Sequence, residues 1–556
     1  MCGMCIVRAK PWRANYWCRS GLALWLWALL ALPVLAACGA PSSHSMAALK
    51  GDGMPPVPSG QTVTIEATVS GAFAGANALS GFYLQTPQSG IFVYAPALSP
   101  ENAPKAGQRW RLQARTGRYW GRIQLEHPQA LEHCGQGDLS TQTLEPLNND
   151  QYASLADQRV RINQPLVVAD TYHLARYGSM RVAVGGRAFH PGNGVSAGRL
   201  LELVVDDGSY RRNPEPLPHG GAKQVYRAGD EIAPFTGIIT RAFGQWRIHP
   251  LEPLQSRVRN PRPASLTKPL GDSLRAVNFN LYNYFVDRGS RGAKTPEAFA
   301  RQRQRLGKAI HAMDADLLAL HEVQNAPAAV TDLLALLNTN QPVEQHYQAA
   351  RMQRGPAAIR SVLLYRPARL SLEQVRTDVA SVHPREPLAA IFATPAGQRF
   401  QIVATHFKSR GGCPDSGDID RGQGCWANRR QTQAQTLVTW LQAEQADMPV
   451  LLLGDLNAYA TEDAMAAWYQ AGYVDLVAQN IAPADRYTYI YRGRSGYLDH
   501  AFATPAFARW INAVQLWPIN ADESAYRASS AEGLWRVSDH DPIIVDWHFS
   551  ERNGAQ

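Results

Sequence analysis

The stretch PVLLLGDLNAY, residues 449–459, decides the fold: an unbroken apolar run from Val450 to Leu453 is followed by Gly454 and then by Asp455 and Asn457. A run without polar alternation reads as a strand buried on both faces. The residues at its end are therefore delivered to one edge of a sheet. The same construction recurs in AVNFN (276–280, with Asn278 and Asn280), LLALHEVQN (317–325, with Glu322 and Asn325) and QIVATHFKS (401–409, with His406). It recurs again in YLDHAFAT (497–504, with Asp499 and His500) and VSDHDPIIVDW (537–547, with Asp539 and His540). Carboxylates gathered at one sheet edge suit a hard divalent cation, and imidazoles among them suit proton handling. This combination is what hydrolysis of a phosphate ester requires.

Helical patterns lie between these strands. PEAFARQRQRLGKAIHAM (296–313) sets Phe299, Leu306, Ile310 and Met313 on one face and a row of basic residues on the other, and WANRRQTQAQTLVTWLQAEQA (426–446) and DAMAAWYQAG (463–472) read as two more helices. Buried strands alternating with helices predict a sheet sandwich covered by helices over 270–550. Upstream the pattern is all β. TVTIEATV, GFYLQT, GIFVYA, RWRLQAR and RIQLEH alternate with period two over 61–145, and RVRINQPLVV, RLLELVVDDG, EIAPFTGIITRAF and QWRIHPLEP do so over 146–258. Each block predicts a small barrel of the oligonucleotide-binding kind, joined to the α/β part by the proline-rich RNPRPASLTKP (259–269). Phe82, Tyr83, Phe92, Tyr94, Arg109, Arg111, Arg115 and Trp120 are the candidates for an aromatic and basic binding face on the first.

The N-terminus carries Arg8, Lys10, Arg13 and Arg19 without an acid ahead of GLALWLWALLALPVLAAC, the form of a secretory signal over residues 1–37. Leu35-Ala36-Ala37-Cys38 resembles the bacterial lipobox. This implies a lipid on Cys38, an outer-membrane anchor, and a tether over 38–60 rich in Pro, Gly and Ser. Loss of the leader lowers the formal charge from +9 to +5, a mild excess that suits an anionic substrate. Of 7 cysteines, Cys413 and Cys425 bracket a short Gly- and Asp-rich loop and are expected to pair in an oxidising compartment, leaving Cys134 as a buried thiol.

LHEVQN, THFKSRGG, GQGCWANRR, LLLGDLNAY, YLDHAFAT and SDHDP stand in an order that resembles the endonuclease/exonuclease/phosphatase superfamily, the DNase I-like fold. The whole mature chain is similar to bacterial extracellular nucleases that place oligonucleotide-barrel-like domains ahead of that catalytic domain. The resemblance implies a four-layer α/β/β/α sandwich and a divalent metal, Mg in the first place and Mn or Ca as alternatives. It implies a metal centre of Glu322 and Asn280 with Asp499 and Asp539. Asp455 would position the attacking water, Asn457 and Arg385 would bind phosphate, and His406 would hydrogen-bond the scissile group. Asp539 would orient His540, the general base or transition-state stabiliser. A surface ion pair with Glu386 is the competing reading of Arg385. Ala357 stands in Gly355-Pro356-Ala357-Ala358-Ile359 where those nucleases carry an acid, which bears on substrate preference. The expected substrate is DNA, with RNA beside it. The alternatives are a phospholipid head group or inositol phosphate on the same fold, or an inactive nucleic-acid-binding surface protein. No protein partner is indicated.

Overall fold

The computed structural model describes residues 37–51, 57–219, 225–263, 265–287, 291–350, 355–444, 447–529 and 533–549. The leader expected over residues 1–37 lies outside them except for Ala37. No helix among the described residues is long and apolar enough to cross a membrane.

The C-terminal half is built on two six-stranded sheets. In one, Leu274–Tyr284 and Leu317–Gln324 run parallel at the centre, flanked by Ile543–Trp547 and Ile359–Tyr365. In the other, Arg399–His406 and Val450–Asp455 run parallel, and Asp499–Ala503 returns antiparallel beside them. The sheets pack through Ala276, Leu317, Ala319, Ile402, Leu451, Leu453 and Ala501. Opposite residues of the same strands, such as Val277, Phe279, Leu318 and Leu320, meet helices Pro296–Met313 and Pro327–Asn338. Val403 and Leu452 meet Ala427–Glu444 and Asp463–Gln470. Four layers result, α/β/β/α, because every central strand is apolar on both faces.

The period of two then explains where the polar groups go. Leu451, Leu453 and Asp455 share the inner face, as do Ile402, Ala404 and His406, and Ala503, Ala501 and Asp499. The inner core thus ends at one edge in acids and imidazoles.

Ahead of this domain, Thr62–Phe73, Gly81–Gln85, Gly90–Tyr94, Gln108–Tyr119 and Arg122–Gln136 close a five-stranded barrel. Strands between Gln142–Thr143 and Ser256–Arg257 form one nine-stranded sheet instead of a second small barrel. Alternation counts strands; whether the ends of the ladder meet depends on pairing partners that it does not encode.

Three further expectations are corrected. Phe82, Tyr83 and Phe92 are buried in the barrel, and Arg111 is buried with its guanidinium on Ala40 O, Pro41 O and Glu66, so half of the expected binding face is core and framework, while Arg109, Arg115 and Trp120 stay exposed. The segment read as a tether is docked over 37–51: helix Met46–Lys50 is capped by Ser45 and inserts Met46 and Leu49 into the barrel core. Cys38 is joined to Cys134, with Cα atoms 5.6 Å apart. A sulfur in a disulfide cannot carry a thioether, so the lipid expected on Cys38 and the free thiol expected at Cys134 both give way. Cys413 and Cys425 are paired as expected. Their loop caps the following helix: Asp418 accepts the Asn428 and Arg429 amides, and the buried Arg430 donates to Cys425 O and Gln423 O.

The nine-stranded sheet is bolted to the catalytic domain through a buried acid pair. Asp522 accepts from Arg187 Nη1 at 2.9 Å, Asn260 Nδ2 at 2.7 Å and Tyr487 Oη at 2.8 Å, and Glu523 is held by Arg227 and Arg262. His190 stacks on Tyr459 at 3.9 Å between ring centres.

Candidate functional site

Strand register assembles the site. His406 lies opposite Asp455, and Asp455 opposite Asp499, so three functional side chains form one row across a sheet. Asp455 Oδ1 accepts the Asn457 amide at 3.0 Å, and its Oδ2 accepts from Asn280 Nδ2 at 3.0 Å and lies 3.3 Å from His406 Nε2. Asn280 reaches it from the other sheet. Asn278 ties the sheets in the same way: its Nδ2 donates to Gly454 O, and its Oδ1 accepts from His321 Nε2 at 2.6 Å.

His540 donates through Nδ1 to Asp499 Oδ2 at 2.7 Å, and Thr488 Oγ1 donates to the same oxygen at 2.7 Å. The partner of His540 is therefore Asp499, and the expected pairing with the adjacent Asp539 is corrected. Asp539 instead accepts from Ser538 Oγ at 3.5 Å, and only its charge reaches the His540 ring. Burial works against a charged His540 ring, but Asp499, with Asp539 and Asp455, overrides it and holds the imidazole well above the usual histidine range. Tyr489 covers the ring at 4.6 Å between centroids. Asn520 holds the loop, donating to His540 O and accepting the Val537 and Ser538 amides.

The other histidines of the site, His321, His406 and His500, are shifted the opposite way. Burial pushes His321 down to about 3. Burial, joined by Arg385, takes His406 well below its usual range. Burial raises Asp455 to about 7, opposed by His540 and reinforced by Asp499 and Glu322. The 3.3 Å His406–Asp455 contact is accordingly not a pair of full charges. His500 belongs to the core, donating to Ala458 O and stacking on Phe502.

Glu322 needs special backbone. Strand alternation would send it to the helix side with Leu318 and Leu320. A break in register on both sides of it and a left-handed φ of 60° turn it instead, and it accepts the Asn283 amide at 2.9 Å. Such a conformation in a non-glycine residue costs about 1 kcal/mol or more and concentrates at functional sites. Burial raises the Glu322 pKa, with the Asp539 charge adding to it and His540, an Asn280 hydrogen bond and Arg291 opposing it. Glu322, Asp539 and the Asn280 oxygen, which also accepts the Tyr282 amide, are oxygen donors of the kind a hard divalent cation takes. Asp455, Asp499 and His540 also present donor atoms within 4.8 Å of one another, all buried. Within that group Asp499 Oδ2 is already committed to His540 and Thr488, which moves Asp499 from the metal set to the imidazole.

Arg385 makes no ion pair with Glu386. It donates to His406 O at 2.9 Å and to Phe407 O, and burial pushes its pKa down to about 10 against the pull of Asp455 and Glu322. Its guanidinium thus stands behind His406. Asn325 donates to Gly355 O and Ala357 O, so the loop that lacks the acid at 357 is held through its backbone. Asp499 Oδ1 and His406 Nδ1 are buried and find no partner among the described residues. Thr488, Tyr489 and Asn520 carry no signal in the sequence, since Thr488 and Asn520 lie outside any strand or helix and Tyr489 opens a strand of only three residues, Tyr489–Tyr491.

An edge of two stacked sheets that carries buried carboxylates, an acid-supported imidazole and an Asp–Asn pair is the arrangement of the DNase I-like fold, a phosphodiesterase and phosphatase fold. Residues 277–540 match the model of the Endonuclease/Exonuclease/phosphatase family, and this part of the chain is a domain of that family. Residues 125–259 match a domain of unknown function. No curated protein matches the chain. Similar solved structures include D. rerio TDP2 humanised by 14 mutations (15% identity, 50% of this chain and 100% of that one, TM-score 0.36). They also include the human nocturnin catalytic domain with bound sulfate (17%, 51% and 97%, 0.35) and a Bacteroides thetaiotaomicron mannosyl-6-phosphatase (15%, 50% and 100%, 0.35).

Proposed function

We propose that this protein is a metal-dependent phosphodiesterase that cleaves DNA, and RNA beside it, outside the cytoplasm. The observation that carries the reading is the Asp499–His540 pair at 2.7 Å, set at the end of the row His406, Asp455, Asp499. Glu322, Asp539 and the Asn280 oxygen would hold the divalent cation, Mg in the first place, which when bound supplies positive charge to the phosphate and the leaving oxygen. Asp455, raised towards neutrality, accepts a proton from an attacking water, and the Asn457 amide fixes the carboxylate that does so. His540, held cationic by Asp499, stabilises charge developing on the phosphate oxygens. Neutral His406, its Nε2 turned to Asp455, leaves Nδ1 as a hydrogen-bond acceptor for the attacking water. Arg385 lends its charge from behind His406. Two disulfides support the extracytoplasmic setting.

Hydrolysis of bis(p-nitrophenyl) phosphate against p-nitrophenyl phosphate, with Mg, Mn, Ca or chelator, tests the reading. The diester should be the better substrate and chelator should abolish its turnover. Preference for the monoester would make the protein a phosphatase, and turnover in chelator would remove the cation from the reaction.

A further inference from the structure

Two hairpins in the N-terminal half turn on unusual residues. Tyr119 pairs with Arg122 across Trp120-Gly121, and Ala242 pairs with Gln245 across Phe243-Gly244. All four turn residues have positive φ, 49° and 81° in the first and 52° and 73° in the second. This two-residue arrangement favours Asn-Gly or Asp-Gly, and a bulky ring at its first position is an outlier. Neither ring recovers the cost by burial: Trp120 is 65% and Phe243 43% exposed. The turns belong to different domains, yet the rings meet at 5.6 Å between centroids, and Tyr210, 42% exposed, joins Phe243 at 6.4 Å from a third segment.

Beside this cluster a cavity of about 550 Å³ opens along the seam of the barrel and the nine-stranded sheet. Tyr119, Tyr210 and Phe243 form part of its wall, and Arg122, Arg181, Arg211, Arg212 and Arg247 surround it. Arg247 is paired with Asp206 and Arg122 lies 3.9 Å from Asp157, whereas Arg211 and Arg212 are exposed with no salt bridge among the described residues. The cavity carries two acids, Asp170 and Asp206, so guanidinium groups predominate. Asp170 and His173 line the side on which helix Leu174–Tyr177 meets Ala525–Ser529 of the α/β/β/α domain. Asp170 feels Arg536, three residues before Asp539, and Tyr282 lies in the fields of both Tyr172 and Asp539.

We infer that this seam binds a single-stranded segment of the nucleic acid whose phosphodiesters the catalytic cleft cleaves, with bases stacked on Trp120, Phe243 and Tyr210 and phosphates on Arg211 and Arg212. The inference rests on the proposed function for its ligand. Exposed rings offer a face to every base, so the site is sequence-tolerant, while a duplex keeps its bases stacked internally and offers phosphates alone. The arginines favour a polyanion over a neutral glycan, which exposed rings by themselves would also accept.

Fluorescence anisotropy with a labelled 20-residue oligothymidylate and with a duplex of the same length, in the full chain carrying His540→Ala to prevent cleavage, tests it. Oligothymidylate should bind more tightly than duplex. Trp120→Asn/Phe243→Asn should weaken oligothymidylate binding about tenfold or more without lowering thermal stability, because asparagine suits both turn positions. Arg211→Ser/Arg212→Ser should reduce the salt slope of log K by about 1.4, at roughly 0.7 for each phosphate contact on a single strand. Unchanged affinity in the first variant, an unchanged slope in the second, or displacement of the oligonucleotide by neutral dextran would overturn the assignment. Diester hydrolysis by the parent protein is read separately, so loss of this site leaves the catalytic reading standing and loss of hydrolysis is recognised as failure of that reading.

Discussion

Replacing Asp499 by asparagine separates the imidazole's partner from the metal's ligands. Asp499 is fully buried, and one of its oxygens receives both His540 Nδ1 and Thr488 Oγ1 at 2.7 Å. Removing one charge from a buried pair costs about 3–5 kcal/mol. Here the unpaired member is the imidazolium proposed to meet charge in the transition state. At 1.36 kcal/mol per tenfold in rate, a loss of that size slows turnover by roughly two to four powers of ten. Because the asparagine side chain would still fill the same space and accept the Thr488 hydroxyl, the fold should persist, as thermal unfolding can check. Initial rates on the diester, measured across Mg concentrations, supply the assay. Asp499→Asn should lower the maximal rate with little change in the Mg concentration giving half-maximal rate, whereas Asp539→Asn should raise that concentration. If Asp499→Asn turns over at near-parental rate while Asp539→Asn loses activity at every Mg concentration, Asp539 is the partner after all and the assignment is wrong.

Glu322→Gln removes one charge from the proposed cation site and should be rescued in part by excess metal; loss that no metal concentration relieves would detach Glu322 from the cation. Burial, aided by Asp206, raises Asp207 from 3.8 to about 7. The folded chain therefore binds a proton that the unfolded chain has released, and stability falls as pH rises from about 4 to 7. Asp207→Asn should gain a few kcal/mol at pH 8, at about 1.4 kcal/mol per pKa unit, and nothing at pH 4 in urea titrations; equal effects at both would refute the cause. Asp522→Asn strips the common acceptor of Arg187, Asn260 and Tyr487 and should destabilise the chain by about 3–5 kcal/mol, while a loss below 1 kcal/mol would mean that the domains are held together elsewhere. Alkylation of denatured, unreduced protein should leave Cys38, Cys134, Cys413 and Cys425 unmodified; a labelled Cys134 or an acyl chain on Cys38 would contradict the first bridge.

What the sequence disclosed and what it withheld follow one division. Strand ends such as LLLGD and QIVATH reveal both burial and the groups delivered to the edge, so Asp455, His406 and the sandwich were legible. Pairing across the fold was not. Asp499 reaches His540 because it is the first residue of an antiparallel strand in register with Asp455, while adjacency in SDH points to Asp539. Glu322 was found from its place after LLALH, but the left-handed turn that aims it has no marker such as glycine. Cys38 and Cys134 lie 96 residues apart, and a motif for lipidation competed with a partner that only the folded barrel brings near. The closure of one β block and the open nine-stranded course of the other depend likewise on which edges meet.

Relaxation of supercoiled plasmid tests the central claim most directly. With Mg the parent protein should nick the circle, chelator should stop it, and His540→Ala should be slower by at least about a hundredfold at every Mg concentration. Plasmid left supercoiled with Mg, Mn and Ca alike, or nicked at the parental rate by His540→Ala, would contradict a nuclease centred on the Asp499–His540 pair.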